Sequence, residues 1–301
     1  MELGMIGLGR MGANMAERLV RGGHRVVGFD PSAKARQSIE TKGVESAESL
    51  GALMSRLKSP RTLWMMVPAG RITDETVDAL LAPLTSGDTL VDGGNSNYKD
   101  TLRRAGAAAA KSIDYVDCGT SGGIWGLAEG YSLMIGGKES VVERLRPIFE
   151  TLAPAADRGW GHVGPVGSGH YTKMIHNGIE YGLMQAYAEG FSILQHKSEF
   201  NLDLHQIAEL WRHGSVVRSW LLDLTADALG KNPTMAGIAP HVDDSGEGRW
   251  TVADAIDLDV PAPVITHALI ARLRSRDKDS FSDKLLAAMR NEFGGHAITK
   301  E

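Results

Sequence analysis

The sequence predicts an α/β chain in two parts: a doubly wound parallel sheet over residues 1–165 and an all-helical C-terminal domain over residues 166–301. Three observations carry that expectation. Short apolar runs alternate with helical stretches through the first half. The first of those runs leads into a glycine-rich turn and then a helix. Strand patterns cease after a row of polar side chains that begins near Ser168. A chain of 301 residues is long enough to bury two cores.

Leu3–Ile6 is the first apolar run. It is followed by Gly7-Leu8-Gly9-Arg10-Met11-Gly12, the helical stretch Ala13–Arg21, the break Gly22-Gly23, and a second strand, Arg25–Phe29, that closes on Asp30. This strand, glycine turn, helix, strand and acidic residue form the context that gives G-x-G-x-x-G its meaning. Gly7 permits the tight turn, Gly9 lets backbone approach a pyrophosphate, and Gly12 lets helix and strand pack closely. A pyrophosphate held by Gly7, Leu8, Gly9, Arg10, Met11 and Gly12 would lie at the positive end of the helix. The first half therefore reads as a Rossmann-type dinucleotide-binding domain. A carboxylate at Asp30 can accept from both ribose hydroxyls of NAD and repels the 2′-phosphate of NADP. NAD is thus preferred, with NADP possible because Lys34 and Arg36 lie close by. The competing reading of Asp30 is a helix cap before Pro31.

The alternation continues. Thr62–Val67 is a strand ending in Pro68-Ala69-Gly70, which adds Val67, Pro68 and Ala69 to the ligand edge of the sheet. Helix Thr73–Leu84 and strand Thr89–Asp92 follow, then Gly93-Gly94-Asn95-Ser96 and helix Tyr98–Ala110. Strand Ile113–Cys118 runs into Gly119-Thr120-Ser121-Gly122-Gly123; Tyr131–Ile135, Glu139–Leu152 and a short strand near Trp160 complete the domain. Asn95 offers an amide, and Ser121, Gly122 and Gly123 offer a hydroxyl and closely approachable N–H groups, a cradle for an anion. Cys118 reads as a small buried residue rather than a nucleophile.

From Ser168 the pattern changes. Ser168 suits a helix N-cap, and from Lys173 the polar residues His176, Asn177, Glu180 and Tyr181 follow at offsets of three, four, seven and eight. At about 100° per residue these five share one stripe roughly 140° wide. Met174, Ile175 and Leu183 lie largely elsewhere, and Gly178 and Gly182 interrupt the helix at about 0.5–1 kcal/mol each relative to Ala. A solvated face with one Lys–Glu pair explains such a stripe in part. It accounts less well for the His, Asn, Tyr and glycines, so the stripe is read as a reaction surface. Beyond it, Leu202–His213, Val216–Leu229, Val252–Leu258, Pro263–Arg274 and Ser282–Asn291 are helical, and Asn232–Pro240 is a loop. Arg218, Arg249 and Arg290 lie near glycines, and guanidinium forks suit phosphate oxygens. Phe293-Gly294-Gly295-His296 sits where chains usually fray, so a ligand or neighbouring subunit is expected to hold it.

Composition excludes several classes. Hydrophobic content is 43%, and the net charge of −5 argues against a nucleic-acid surface. One cysteine allows no intrachain disulfide, and no cluster of metal ligands is visible, so no metal is expected. The N-terminus enters an apolar run without a basic leader, and no run of about 18 apolar residues spans a membrane. A reducing, cytoplasmic location fits these features.

With these residues in view, the chain resembles the 6-phosphogluconate dehydrogenase family, the decarboxylating enzymes, in its shorter bacterial form. The glycine motif, Val67-Pro68-Ala69, Asp92 to Ser96, Ser121 to Gly123, Lys173 to Tyr181 and Arg290 to His296 carry the resemblance over nearly the whole chain. It implies oxidation of 6-phosphogluconate at C3 and loss of CO₂ to give ribulose 5-phosphate, a step of the pentose phosphate pathway. It implies Lys173 as general base and Glu180 as general acid. Asn95, Ser121, Gly122, Gly123, His176, Asn177 and Tyr181 would hold the sugar acid. Arg290 and His296 would reach it from the partner in a homodimer or homotetramer. Arg218 and Arg249 match the family's basic substrate-binding positions only loosely.

The chemistry suits the residues. Hydride leaves as the hydroxyl proton does, which requires a base within hydrogen-bond reach. Burial beside cations or apolar groups can hold a lysine neutral for that task. The protonated lysine then polarises the ketone during decarboxylation, and an acid two helical turns along protonates the resulting enediol. Asp30-Pro31-Ser32 replaces the basic or polar patch of the longer NADP-dependent members, which again favours NAD. Two rivals remain: a β-hydroxyacid dehydrogenase of the 3-hydroxyisobutyrate type, which lacks the His-Asn-x-x-Glu-Tyr stripe, and a non-catalytic NAD-binding regulator.

Overall fold

A computed structural model describes residues 1–295 and 297–299, Phe293 through its backbone alone, and divides the chain into two compact units, Met1–His176 and Asn177–Glu301. The division falls inside a long helix.

The first unit carries β1 (Glu2–Ile6), α1 (Arg10–Arg21), β2 (Arg25–Phe29), α2 (Ala33–Glu40), β3 (Glu45–Ser46), α3 (Leu50–Ser55), β4 (Thr62–Met65) and α4 (Arg71–Leu81). It continues with β5 (Thr89–Asp92), α5 (Tyr98–Ala109), β6 (Asp114–Ser121), α6 (Gly126–Glu129), β7 (Ser132–Gly136), α7 (Glu139–Leu152) and β8 (Trp160–Gly164). The strands form one sheet in the order β3-β2-β1-β4-β5-β6-β7-β8. All neighbours are parallel except β6 and β7, which pair Asp117 with Gly136 and Ser121 with Ser132. The chain order reverses between β1 and β4, the switch point at which an open α/β sheet leaves a crevice.

Alternate side chains of a strand feed opposite faces. On β4, Leu63 and Met65 join the cluster of Ile6, Val27, Leu53, Leu80 and Leu90, while Trp64 joins that of Leu3, Met5, Leu19 and Phe149. A core on each face makes this a three-layer domain, and each fully buried side chain of this size contributes roughly 1.5–3 kcal/mol.

Three findings revise the sequence reading. Residues 33–55 hold α2, β3 and α3, which no periodic pattern announced because each is short. Ser32 and Ser49 cap the two helices, so Asp30 is not the cap. Strand β6 extends through Ser121, so only Gly122 and Gly123 of the expected loop lie beyond it.

Helix α8 (Ser168–His196) crosses the division between the units without interruption. The second unit continues with α9 (Leu204–Arg212), α10 (Trp220–Lys231), α11 (Glu247–Asp257), α12 (Pro263–Arg274) and α13 (Phe281–Gly294). Asp203, Ser219 and Ser280 cap α9, α10 and α13 with their own side chains. Buried apolar clusters here are small: Phe191, Ala208, Leu222, Ala226 and Leu229 in one, Tyr181, Ala268 and Leu269 in another. Among the described residues, no helix is long and apolar enough to cross a membrane.

Candidate active site

A cleft of about 620 Å³ opens at the switch point of the first unit, a size suited to a cofactor. Gly7, Gly9, Arg10, Met11, Gly12, Asp30, Val67, Pro68 and Asn95 line it, joined by Met66, Ile72, Thr76 and Thr120, which the sequence did not single out. The three glycines have separate duties. Gly7 has φ +91°, a left-handed conformation, and a Cβ there would lie 2.4 Å from the Met66 carbonyl oxygen. A Cβ on Gly12 would lie 2.0 Å from the Gly7 carbonyl oxygen, so helix and turn touch only because that atom is missing. A Cβ on Gly9 would meet nothing within 4 Å. The start of α1, where Gly9 is the N-cap, has no side-chain cap and no acidic residue in its first turn. Uncompensated N–H groups beside open space fit a pyrophosphate.

Two expected cleft residues are placed differently. Leu8 turns its side chain into the apolar core, and its backbone N–H donates to Asp30 Oδ2 at 2.8 Å. Ala69 is exposed and does not line the cleft, because the turn carries it past the edge that Val67 and Pro68 occupy. Asp30 Oδ1 accepts from the Ser32 N–H at 2.8 Å, so the carboxylate is fixed at the cleft wall. Arg36 donates to the backbone oxygens of Asp30 and Pro31.

Beneath the cleft, Arg104 is almost fully buried. Its guanidinium donates to Asp74 Oδ1 at 2.8 Å, Ser96 Oγ at 3.2 Å and the Gly70 carbonyl at 3.3 Å, and lies 3.6 Å from Asp92 Oδ2. One side chain thus joins the turn after β4 to the loop that carries Asn95. Asp92 also accepts from Tyr115 Oη at 3.2 Å; burial, with Asp92 beside it, pushes that phenol well above its ordinary value, so it stays a donor. Burial likewise raises the Cys118 thiol, an inert core residue.

The polar stripe of α8 is not a solvated face. Lys173 is 7% exposed and Asn177 8%. In the first unit, Lys173 Nζ lies 3.4 Å from His176 Nδ1, and His176 Nε2 lies 3.3 Å from Ser121 Oγ. With Nδ1 accepting from the amine, the Nε2–H donates to the serine, which links amine, imidazole and hydroxyl in a row. Gly119 sits under the lysine stem: a Cβ there would lie 2.4 Å from Lys173 Cβ. The expected cap of α8 is corrected. Ser168 Oγ donates to the Pro165 carbonyl instead. The buried carboxylate of Asp117, on β6, accepts from the N–H groups of Gly167 and His170 at 2.7 and 2.8 Å.

The second unit carries the rest of the stripe. Glu180 is half-buried and Tyr181 buried, and the tyrosine hydroxyl has no hydrogen-bond partner among the described residues. Gly178 abuts Thr251 and Gly248 abuts the Tyr181 ring, which explains glycines where a helix former is expected. The Arg272 guanidinium stacks 3.5 Å from the Tyr181 ring centroid; the sequence reading passed over this arginine. Arg249 pairs with Asp244, which Arg276 also approaches at 3.8 Å. Burial pulls the Asp244 carboxyl up, but Arg249, the Gly246 N–H and Arg276 outweigh it and leave it below its ordinary value. Arg218 is exposed in the turn before α10, and Arg290 is exposed on α13. His296 lies outside the described residues. Among the described residues, no group of three or more His, Cys, Asp or Glu side chains is placed to hold a metal ion.

Comparison with known proteins agrees with this layout. Residues 2–163 match the NAD binding domain of 6-phosphogluconate dehydrogenase, and residues 169–288 match the 6-phosphogluconate dehydrogenase C-terminal domain. The chain belongs to the 6-phosphogluconate dehydrogenase family. An NAD(+)-dependent, decarboxylating 6-phosphogluconate dehydrogenase of Haloferax volcanii is 44% identical, with 100% of this chain and 99% of that one covered. The NADP(+)-dependent decarboxylating 6-phosphogluconate dehydrogenase of Bacillus subtilis is 37% identical over 92% of this chain but only 62% of its own. The Plasmodium falciparum 6-phosphogluconate dehydrogenase structure, solved apo, with NADP+ and with 6-phosphogluconate, superposes with a TM-score of 0.85. It is 27% identical, over 100% of this chain and 66% of that one. The family thus has long members, and this chain aligns end to end with a short one.

The sequence missed Asp117, Arg104 and Arg272. Asp117 and Arg104 had no local signal, because a carboxylate in a strand and a guanidinium in a helix reveal partners 30 to 50 residues away only once folded. Arg272 shares its helix with Arg274 and looked solvated.

Proposed function

We propose that this protein oxidatively decarboxylates 6-phosphogluconate to ribulose 5-phosphate and CO₂, with NAD as its preferred oxidant and NADP possible. The observation that carries the reading is the row formed by the buried Lys173 and the half-buried His176 and Ser121, whose lysine and histidine stand on the helix that also presents Glu180. NAD would lie along Gly7, Gly9, Arg10, Met11 and Gly12, with Asp30 at its ribose, and when bound it accepts the hydride from C3. Lys173 Nζ takes the C3 hydroxyl proton as that hydride leaves. His176, held by Ser121, keeps the amine in place and off solvent. The ammonium so formed then donates to the new C3 oxygen, which withdraws charge as the C1–C2 bond breaks and CO₂ departs. Glu180 delivers a proton to the carbon that becomes C1 of the product.

Asn95, Ser121, Gly122, Gly123 and Asn177 supply polar contacts for the hydroxyls and carboxylate. The Tyr181 hydroxyl, without a hydrogen-bond partner among the described residues, suits a phosphate together with Arg272 beside it and Arg249 on α11. Arg218, exposed in its turn, is the weakest of the arginines for that purpose. We also propose a homodimer or homotetramer formed through the helical unit, in which Arg290 and His296 complete a neighbour's site. The exposed apolar side chains of α11, α12 and α13 support that association. A cytoplasmic location suits an enzyme of a phosphorylated sugar acid.

Mixing the protein with 6-phosphogluconate and either nicotinamide cofactor, while following reduced cofactor and CO₂, tests the reading. Reduced cofactor and CO₂ in equal amounts, faster with NAD, support it. Turnover of an unphosphorylated β-hydroxy acid but not of 6-phosphogluconate overturns it in favour of the 3-hydroxyisobutyrate type.

A further inference from the structure

Strand β6 faces helix α8 with three alternate residues. Asp117, Gly119 and Ser121 stand at i, i+2 and i+4 and so share one face of the strand. Each meets the helix one step further along it. The Asp117 carboxylate takes the N–H groups of Gly167 and His170, Gly119 admits the Lys173 stem, and Ser121 meets His176. Four residues of strand and the eight from Ser168 to His176 both advance about 12–13 Å, so the two elements run in step over this stretch.

Two further glycines bring the helix start against the sheet. A Cβ on Gly169 would lie 2.5 Å from the Met134 carbonyl oxygen and 2.7 Å from that of Asp117. A Cβ on Gly136 would lie 2.5 Å from Asp117 Oδ1. Space is therefore left for this one carboxylate, whose side chain is wholly withdrawn from solvent. Other helices take their caps from the adjacent residue, as α2, α5 and α10 do from Ser32, Asn97 and Ser219. Such a cap stops a helix from fraying but leaves it free to slide or turn on the sheet. A cap from β6 does more. It fixes the axial position and the rotation of α8 relative to the strand that carries Ser121.

We infer that Asp117 is a positioning residue for the proton-transfer step: it sets the register of α8 on β6 and so holds the Lys173 amine beside His176 and Ser121. It acts through Lys173, not on substrate, and it forms no part of the cleft lining. The inference rests on the assignment of Lys173 as base.

The test compares Asp117→Ala, Asp117→Asn and a control, Asp88→Asn, by kcat and by the Kd for NAD. Asp88 is likewise a fully buried carboxylate that accepts backbone N–H groups, those of Arg61 and Thr85, but it touches no part of α8. A displacement of about 1 Å at a reacting group costs on the order of 100-fold. Asp117→Ala is therefore expected to lose about 100-fold in kcat while its Kd for NAD stays within about threefold. Asp117→Asn keeps the shape and one accepting oxygen, so it is expected to recover about tenfold of that loss. Asp88→Asn should lower the melting temperature yet keep kcat within about twofold.

A kcat for Asp117→Ala within threefold of the parent overturns the inference, as does an equal loss in Asp88→Asn. Should Asp117→Ala fail to fold, Asp117→Asn decides: a tenfold fall in kcat at unchanged NAD affinity supports the inference, and parental kcat overturns it. Lys173→Met is run alongside. Its retention of turnover would sink the assignment of the base, a failure distinct from that of Asp117.

Discussion

In the sheet-bearing unit the apolar side chains of β1, β4 and β5 are almost wholly withdrawn from solvent, whereas on the helical unit Ile193, Ile256, Val264 and Phe281 stand 68% to 75% exposed. The buried polar groups differ less. Asp88, Asp92, Arg104 and Asp117 each have several partners within their own unit, yet among the described residues both units hold buried polar atoms with none: Tyr131 Oη and His170 Nε2 in the first, the Tyr181 hydroxyl and Glu247 Oε1 in the second. A buried polar group without a partner costs about 1–3 kcal/mol. The contrast therefore lies in the apolar surface: the first unit buries the side chains of its central strands within itself, and the second leaves large ones on its outside. A cofactor domain must be finished before its ligand arrives. A substrate domain can leave part of its surface to the ligand and to a second copy of the chain.

Variants can break or sharpen that contrast. The largest effect is expected at Lys173. Lys173→Met should lower kcat by about 10³–10⁴, the upper range for a general base, and leave NAD affinity nearly intact. Isothermal titration with NAD beside steady-state assay reads both, and parallel losses would show that the stripe also builds the cofactor cleft.

Next comes association. Replacing Phe281 and Ile256 with Asp adds charge where a second copy would sit, and each large apolar side chain buried there is worth roughly 1.5–3 kcal/mol. Sedimentation should show the parent as an oligomer and the double variant dissociating at least about tenfold more readily. A parent that sediments as a monomer would remove the proposed reason for these exposed faces.

A smaller change is expected at Asp30. Asp30→Ala should narrow the NAD over NADP preference in kcat/KM by about tenfold, near 1.4 kcal/mol. An unchanged ratio would mean that the carboxylate serves only the Leu8 and Ser32 N–H groups.

The smallest effect on activity is expected at Asp88, where the change falls on stability. Burial raises its carboxyl, but the backbone N–H groups of Arg61 and Thr85 and the Arg61 guanidinium outweigh this and hold it below the ordinary value. A depressed carboxyl contributes stability above its unfolded pKa, near 4, and loses it as pH falls further. Asp88→Asn should therefore cost about 1–3 kcal/mol at neutral pH, and its deficit should shrink below pH 4. Urea melts across that range check the sign.

Much of this layout was legible beforehand because its signals are local. Gly7, Gly12 and Asp30 announce a strand, a turn and a second strand within 30 residues, and the spacing from Lys173 to Tyr181 announces a helical stripe. Helix ends were less legible: α1 begins at Arg10, three residues before the stretch the sequence marks as helical. The least legible features are those in which one residue serves two distant elements. Arg104 ties Gly70 to Ser96, and Asp117 caps α8 in place of Ser168, which stands one residue inside the helix. Arg272 needed the coordinates for the same reason, since its neighbour is a tyrosine on another helix.

Gly119 links two positions that lie 54 residues apart in the sequence. A single methyl group at this point of β6 would collide with Lys173 Cβ and with the Gly169 carbonyl oxygen, so it must lift the helix or evict the lysine. The depth at which the lysine stem sits is therefore governed by an atom that is not there. A side chain at 119 and the seat of Lys173 are thus alternatives for the same space.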